Sequence, residues 1–296
     1  MNKVRFGPSG TTKTLEPLEA LKYLVNIFSE LKAFEIPFTM YQYQLPSYST
    51  QYMESFQKIL KKHGIYASCH APFTISLTNS KQFHLYGKKR LLKVMKLAKR
   101  LGCNIVVIHP GGYQEGLKKE DHVKLVVKHC KEVLNEIQNI DLGLEITGKH
   151  KQFGKLEELI SVVQQVDKVR IVLDWAHIHA RNGGILKSVD DVIKVLLKLE
   201  NVLGKEALKN LHMHFTGVEF TIVQQPTLSL ETFLTGKKEI IREGSEKKHL
   251  PINQNSPDPK LVLKAIKEFN VSGTVICESP LREKDAIQLL KVYEAL

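Results

Sequence analysis

The chain has 296 residues, 43% of them hydrophobic and 25% charged, enough for one large domain or two small ones. Its formal net charge is +12 and its pI is near 9.3, a balance that favours an anionic partner such as nucleic acid, although lysines spread along helices also suit a merely soluble surface. No apolar run reaches membrane-spanning length, and no low-complexity tract or solenoid repeat is present, so membrane-spanning and repeat classes are set aside.

The opening MNKVRFGPSG lacks the apolar core of a secretory signal. The four cysteines, Cys69, Cys103, Cys130 and Cys277, are scattered with no C-x-x-C pair. That usage argues against a disulfide framework or a zinc ribbon and sets the expectation of a reducing, cytoplasmic location.

In chain order, short β-type runs alternate with amphipathic stretches. The β-type runs are KVRF (3–6), FEIPF (34–38), YASCH (66–70), IVVIH (105–109), LGLEI (142–146), RIVLD (170–174), LHMHF (211–215) and TVICE (274–278). Between and after them, apolar residues recur every three or four positions over 18–28, 54–63, 89–102, 122–137, 156–166, 191–203, 259–269 and 284–296. KKHGIY and KRLGCN each place a glycine just after a basic last turn, as helix stops do.

Strand–helix alternation implies parallel strands joined by crossover helices. About eight such units fit an α/β fold of the (β/α)8 TIM barrel type, for which roughly 250 residues is typical. A doubly wound open sheet is the alternative, but FGPSGTTK after the first run is neither G-x-G-x-x-G nor a P-loop. The expected organisation is a single domain over 1–296. One segment breaks the rhythm: an inserted loop is expected over 217–246, after the seventh strand.

The polar residues at the ends of these runs form a pattern. His70, His109, Asp174 and Glu278 close their runs and Glu145 and His214 stand one residue before the end of theirs, on six successive strands, and active sites of such barrels sit at the strands' C-terminal ends. A lone histidine or carboxylate at such a place is commonly a core or capping residue. Several carboxylates and imidazoles converging in one semi-buried space are costly unless cations join them. Mixed nitrogen and carboxylate donors suit zinc, iron or manganese rather than magnesium or calcium. Cys69 points to the opposite face from His70 and reads as packing. His212 and His214 share a face; His214 lies nearer the mouth, and His212 reads as support or barrel filling. Glu145 is central in strand order, which suits a carboxylate bridging two ions, the recurring device for phosphoester hydrolysis.

SCHAPFTISLTNS (68–80), VVIHPGG (106–112), GLEIT (143–147), VLDWAHIHA (172–180), LHMHF (211–215), EKKHLPI (246–252) and VICESP (275–280) together resemble the successive motifs of the endonuclease IV family, metal-dependent apurinic/apyrimidinic endonucleases. The resemblance runs in order over almost the whole chain. It implies a trinuclear zinc centre, with His70, His109 and Glu145 on one ion. Glu145, Asp174, His214 and Glu278 would hold the second, and His177 and His249 the third; His179 matches no ligand. It also implies hydrolysis of double-stranded DNA on the 5′ side of abasic sites by a metal-bridging hydroxide, with Glu145 the catalytic residue. The products would be a 3′-OH and a 5′-deoxyribose phosphate, made by a monomer with no membrane partner. The ions would be two or three zinc, with manganese or iron in some positions.

Three departures stand out. Lys247 occupies the place of the third ion's aspartate, leaving Glu246 or Glu243 to substitute. FTG follows His214 where the family has Asn-Asp, and the 217–246 segment is long. Phe73 stands where the family has a tyrosine that enters the DNA, and it is taken as a substrate-binding aromatic. The rival reading is a metal-dependent sugar isomerase or epimerase on the same barrel, which has no need of a +12 charge.

Overall fold

Each of the eight β-type runs forms a parallel strand in the computed structural model, which describes residues 4–41, 44–226, 240–254 and 256–296. The barrel strands are β1 (Val4–Pro8), β2 (Ala33–Pro37), β3 (Tyr66–His70), β4 (Ile105–Ile108), β5 (Asp141–Glu145), β6 (Val169–Asp174), β7 (Leu211–Phe215) and β10 (Gly273–Cys277). Their order, β1-β10-β7-β6-β5-β4-β3-β2, is that of a barrel opened at one seam. Among the described residues one parallel bridge, Ser9 with Glu35, closes the seam, helped by hydrogen bonds from Gly10 N to Glu35 O (2.9 Å) and from Lys32 N to Phe6 O (2.9 Å). Gly7 makes this possible: a Cβ there would lie 1.8 Å from the Ala33 carbonyl oxygen.

The amphipathic stretches become the outer helices: α1 (Pro17–Ile27), α2 (Thr50–His63), α3 (Lys88–Leu101), α4 (Lys119–Leu134), α5 (Leu156–Val163), α7 (Val189–Leu203), α8 (Pro259–Glu268) and α9 (Glu283–Ala295). α2 and α3 end on Gly64 and Gly102, both left-handed, after basic last turns. Their apolar faces bury Leu21, Leu24, Phe56, Leu91, Met95 and their neighbours against the outside of the barrel. Each such side chain contributes about 1.5–3 kcal/mol relative to exposure.

Inside the barrel, the period-2 alternation stacks side chains in layers. Ile105, Val107 and Val172, with Tyr66 against them, fill the interior below the mouth. The register then sets Asp174 beside His214 and Glu35 beside Ser68. All four cysteines are buried and free. Among the described residues no helix is long and apolar enough to cross a membrane.

Two features go beyond the expectation. A further short helix, α6 (Trp175–Arg181), starts directly at the end of β6, with Asp174 as its N-cap. Within the segment expected as an inserted loop over 217–246, the described residues form β8 (Gly217–Pro226) and the start of β9 (Ile240–Leu250), an antiparallel ribbon. Residues 227–239 of that expected loop lie outside the described residues. The ribbon packs on α6 through Ala176, Ala180, Val218 and Phe220. The contact is close: a Cβ on Gly244 would lie 1.9 Å from the Ala180 carbonyl oxygen.

Candidate metal centre

The strand ends converge as their spacing implies. One donor atom each from His70, His109 and Glu145 lies within 4.8 Å of the others, and the same holds for Glu145, Asp174, His214 and Glu278. Glu145 belongs to both sets and is fully buried. Its Oε2 sits 2.9 Å from His70 Nε2 and 3.0 Å from His109 Nε2. Its Oε1 faces His214 Nδ1 at 3.3 Å and His177 Nδ1 at 3.2 Å. Asp174 spends one oxygen on its cap, accepting from His177 N at 2.7 Å, a contact worth about 1 kcal/mol.

A third set joins His177, Glu246 and His249. Glu246 Oε2 is 3.1 Å from His177 Nε2, and its Oε1 is 3.3 Å from His249 Nε2. Simple alternation would turn Lys247 and His249 to one face of β9 and Glu246 to the other. The ladder is irregular here: Glu219 pairs with Lys248 but Phe220 pairs with Glu246, leaving Lys247 without a ladder partner. This bulge re-aims Glu246 onto the face of His249. Lys247 turns outward, 3.5 Å from Glu219, while Glu243 goes to Lys155 at 3.5 Å. The carboxylate that faces His177 and His249 is therefore that of Glu246, not a side chain at position 247.

The histidines share a wiring. His70, His177 and His249 each donate Nδ1–H to a backbone carbonyl: Ala71 (2.9 Å), Ile146 (2.8 Å) and Glu278 (3.2 Å). That leaves Nε2 of each aimed at a carboxylate. Two lone-pair donors facing each other repel, so the arrangement calls for a proton or a cation between them. Without ions, protons serve. Burial lowers His70, but the hydrogen bond and charge of Glu145 outweigh it and raise the imidazole to about 9. His249 is raised to about 8 in the same way, by Glu246 and then Glu278. Burial works against ionising Glu145, yet His109 and His214 hold it well below the usual carboxylate range. Asp174 goes the other way: burial, with the charges of Glu145 and Glu278, raises it despite His177. Protons thus balance the cluster unevenly. Glu145 Oε1, Asp174 Oδ2 and His214 Nδ1 are buried with no hydrogen-bond partner among the described residues. Such orphaned donor atoms fit divalent ions of the zinc class.

Two residues beyond the expected ligands complete the site, the first of them one of the two substitutes considered for position 247. One is Glu246; the other is Glu35, fully buried on β2 below the mouth. Its Oε2 accepts from Ser68 Oγ (2.9 Å) and lies 3.3 Å from His214 Nε2 and 3.4 Å from His212 Nε2. His212 is thus a support for Glu35, in keeping with its position on β7. His179 stands apart: its Nδ1 accepts from Leu186 N at 3.1 Å, and burial, with Lys187, lowers it to about 4.

The site opens into a cavity of about 620 Å³ lined by His70, His109, His177, Glu246, His249 and Glu278. Phe73 stands at its lip, 56% exposed, with ring centroids 5.4 Å from His70 and 5.0 Å from His109. Beside it runs a groove of about 870 Å³ walled by Lys89, Arg90, Lys93 and Arg100, and Thr74 lines both.

The family model described as the xylose isomerase-like TIM barrel matches residues 29–296. An uncharacterized protein of Methanocaldococcus jannaschii is 34% identical over 250 residues, covering 82% of this chain and 83% of the relative. A probable endonuclease 4 of Staphylococcus carnosus is 28% identical over 170 residues, covering 55% of this chain and 56% of the relative. The chain thus matches just over half the length of that endonuclease. Among solved structures, endonuclease IV from Thermus thermophilus aligns with a TM-score of 0.68 at 18% identity, over 100% of this chain and 98% of that one. A D-tagatose 3-epimerase-like protein aligns with a TM-score of 0.66 at 17% identity, over 95% and 93%. These structural likenesses speak for the fold alone. With its eight parallel strands, its outer helices and a family match from residue 29 to the last residue, the chain belongs to the xylose isomerase-like TIM barrel family.

Proposed function

We propose that the protein is a DNA endonuclease that hydrolyses the phosphodiester on the 5′ side of abasic sites, using a multinuclear zinc centre. The observation that carries this reading is the presence of three donor sets around one cavity, two of them joined through Glu145. His70, His109 and Glu145 would hold one ion, and Glu145, Asp174, His214 and Glu278 a second. His177, Glu246 and His249 would hold a third. Divalent ions so held supply Lewis acidity to phosphoryl oxygens and a nucleophilic water at neutral pH.

The chain's own residues do the rest. Glu145, with one carboxylate oxygen turned toward each of two donor sets, would belong to both and would accept a proton from water. Phe73 offers an exposed ring on which a base beside the lesion can stack. The basic groove gives the flanking phosphates a place to lie. A concave site suits a sugar turned out of the duplex. A sugar isomerase or epimerase on the same barrel would use neither a third donor set nor a basic groove. The relative named as a probable endonuclease 4 agrees with the nuclease reading.

The test is a duplex with one abasic site, incubated with purified protein with and without a chelator. A chelator-sensitive cut on the 5′ side of the lesion is expected, and Glu145→Ala should abolish it. Absence of the cut, or full activity in Glu145→Ala, would reject the assignment.

A further inference from the structure

We infer that the protein carries a second, separate metal site on its outer surface, made by His84, His129 and Glu132, which takes a divalent transition ion of the zinc class. One ring nitrogen of each histidine and a carboxylate oxygen of Glu132 lie within 4.8 Å of one another. None of the three lines the central cavity. His129 and Glu132 stand one turn apart on α4, so they share a face. His84 comes from the wide turn Phe83–Gly87 that leads into α3.

The decisive atom is His129 Nε2. His129 has 0% exposure, and its Nδ1 lies 2.8 Å from the Leu77 carbonyl oxygen. A carbonyl only accepts, so Nδ1 carries the proton and Nε2 of the neutral ring bears a lone pair. That Nε2 is buried and has no hydrogen-bond partner among the described residues. The Phe83 ring stacks on the His129 imidazole at 3.9 Å between centroids, fixing its plane.

His84 is wired alike. Its Nδ1 donates to the Ser80 carbonyl at 2.8 Å, and its Nε2 faces Glu132 Oε2 at 3.3 Å. A protonated His84 would satisfy Glu132 but leave His129 Nε2 with nothing. Lys88 does not resolve this, because its shorter contact, 2.8 Å, is to Glu136 rather than to Glu132 at 3.6 Å. A cation held by all three answers every donor at once. Two imidazoles and one carboxylate select zinc, cobalt or nickel over magnesium or calcium, and the half-exposed His84 side leaves a further position for water. This is the wiring of His70, His177 and His249 at the central site, repeated on the outside of the barrel. An ion here would tie the 83–87 turn to α4. That turn carries Leu85 and Tyr86 into the wall of the basic groove.

The test counts ions. The full-length chain is saturated with zinc, dialysed at fixed free zinc and analysed by elemental emission, alongside His84→Ala, Glu132→Gln and Glu145→Ala. His84 is exposed, so its replacement leaves the fold intact, as circular dichroism will register. His84→Ala and Glu132→Gln should each bind one ion fewer per chain than the parent. Adding His84→Ala to Glu145→Ala should remove one ion more than Glu145→Ala alone, which makes the result independent of the central centre. Equal ion counts in the parent and His84→Ala would overturn the proposal.

Discussion

Glu35 shows how much one buried carboxylate can direct. Its Oε2 lies 3.3 Å from His214 Nε2 and so accepts that proton, leaving Nδ1 bare toward Glu145 and Glu278. Outer partners of this kind are worth roughly 10–100-fold in metal affinity. Glu35→Gln keeps the shape but removes the charge, so zinc affinity should fall by about that factor in competition with a chromophoric chelator. Unchanged affinity would assign Glu35 to packing alone. The histidines also set a pH dependence. With His70 raised to about 9 and His249 to about 8, both rings are protonated at neutral pH when no ion is bound. Their pairing with Glu145 and Glu246 stabilises the ion-free fold below the ordinary histidine value and fades as pH rises through 8 to 9. Metal must displace those protons. Apparent zinc affinity should therefore climb between neutral pH and about 9, where ordinary histidines would have levelled off near 6.5. Calorimetry at neutral pH in buffers of different ionisation heat should detect the released protons.

At the scale of the element, the bulge in β9 decides which residue serves the third donor set. Glu246→Gln should lower the zinc count by one ion, while Lys247→Ala should leave it unchanged, since Lys247 faces solvent and Glu219. The reverse ranking would refute the bulged register. Gly244→Ala offers an independent check. Its Cβ would press on the Ala180 carbonyl at 1.9 Å, lifting the ribbon from α6 and with it Glu246 and His249. The same ion should be lost while the barrel melts as before. This contrast also marks what is legible in the sequence. The barrel and the donors at its strand ends follow from period-2 alternation, because each strand delivers its last inward side chain to one mouth. Glu246 is only one of two candidates at that level, since alternation favours position 247 and a bulge leaves no mark in composition. Glu35 is illegible for another reason: one carboxylate inside FEIPF gains meaning only when β2 is set beside Ser68 and across from His212. Strands β8 and β9 leave little trace in the sequence because their register depends on packing against α6 rather than on a core of their own.

For the whole molecule, the choice is whether a net charge of +12 serves solubility or substrate. The basic groove argues for substrate, because it shares Thr74 with the cavity around which the donor sets gather. Not every cation in it is available. Arg90 donates to Thr74 Oγ1 at 2.8 Å and to the Tyr41 carbonyl at 2.7 Å, and so builds the wall rather than reads a ligand. Lys89, Lys93 and Arg100 remain as candidate phosphate contacts. Each phosphate neutralised adds about −0.9 to the slope of log affinity against log salt. Duplex binding should therefore weaken steeply between roughly 50 and 200 mM salt. Lys93→Ala should weaken binding to all duplexes alike and make the slope shallower by about 1, with the zinc count untouched. An isomerase acting on a neutral sugar has no phosphate to neutralise, and its turnover would ignore the same change in salt. Salt-indifferent binding, or a Lys93→Ala slope equal to the parent's, would remove the groove from the substrate path and return the charge to the role of keeping the surface soluble.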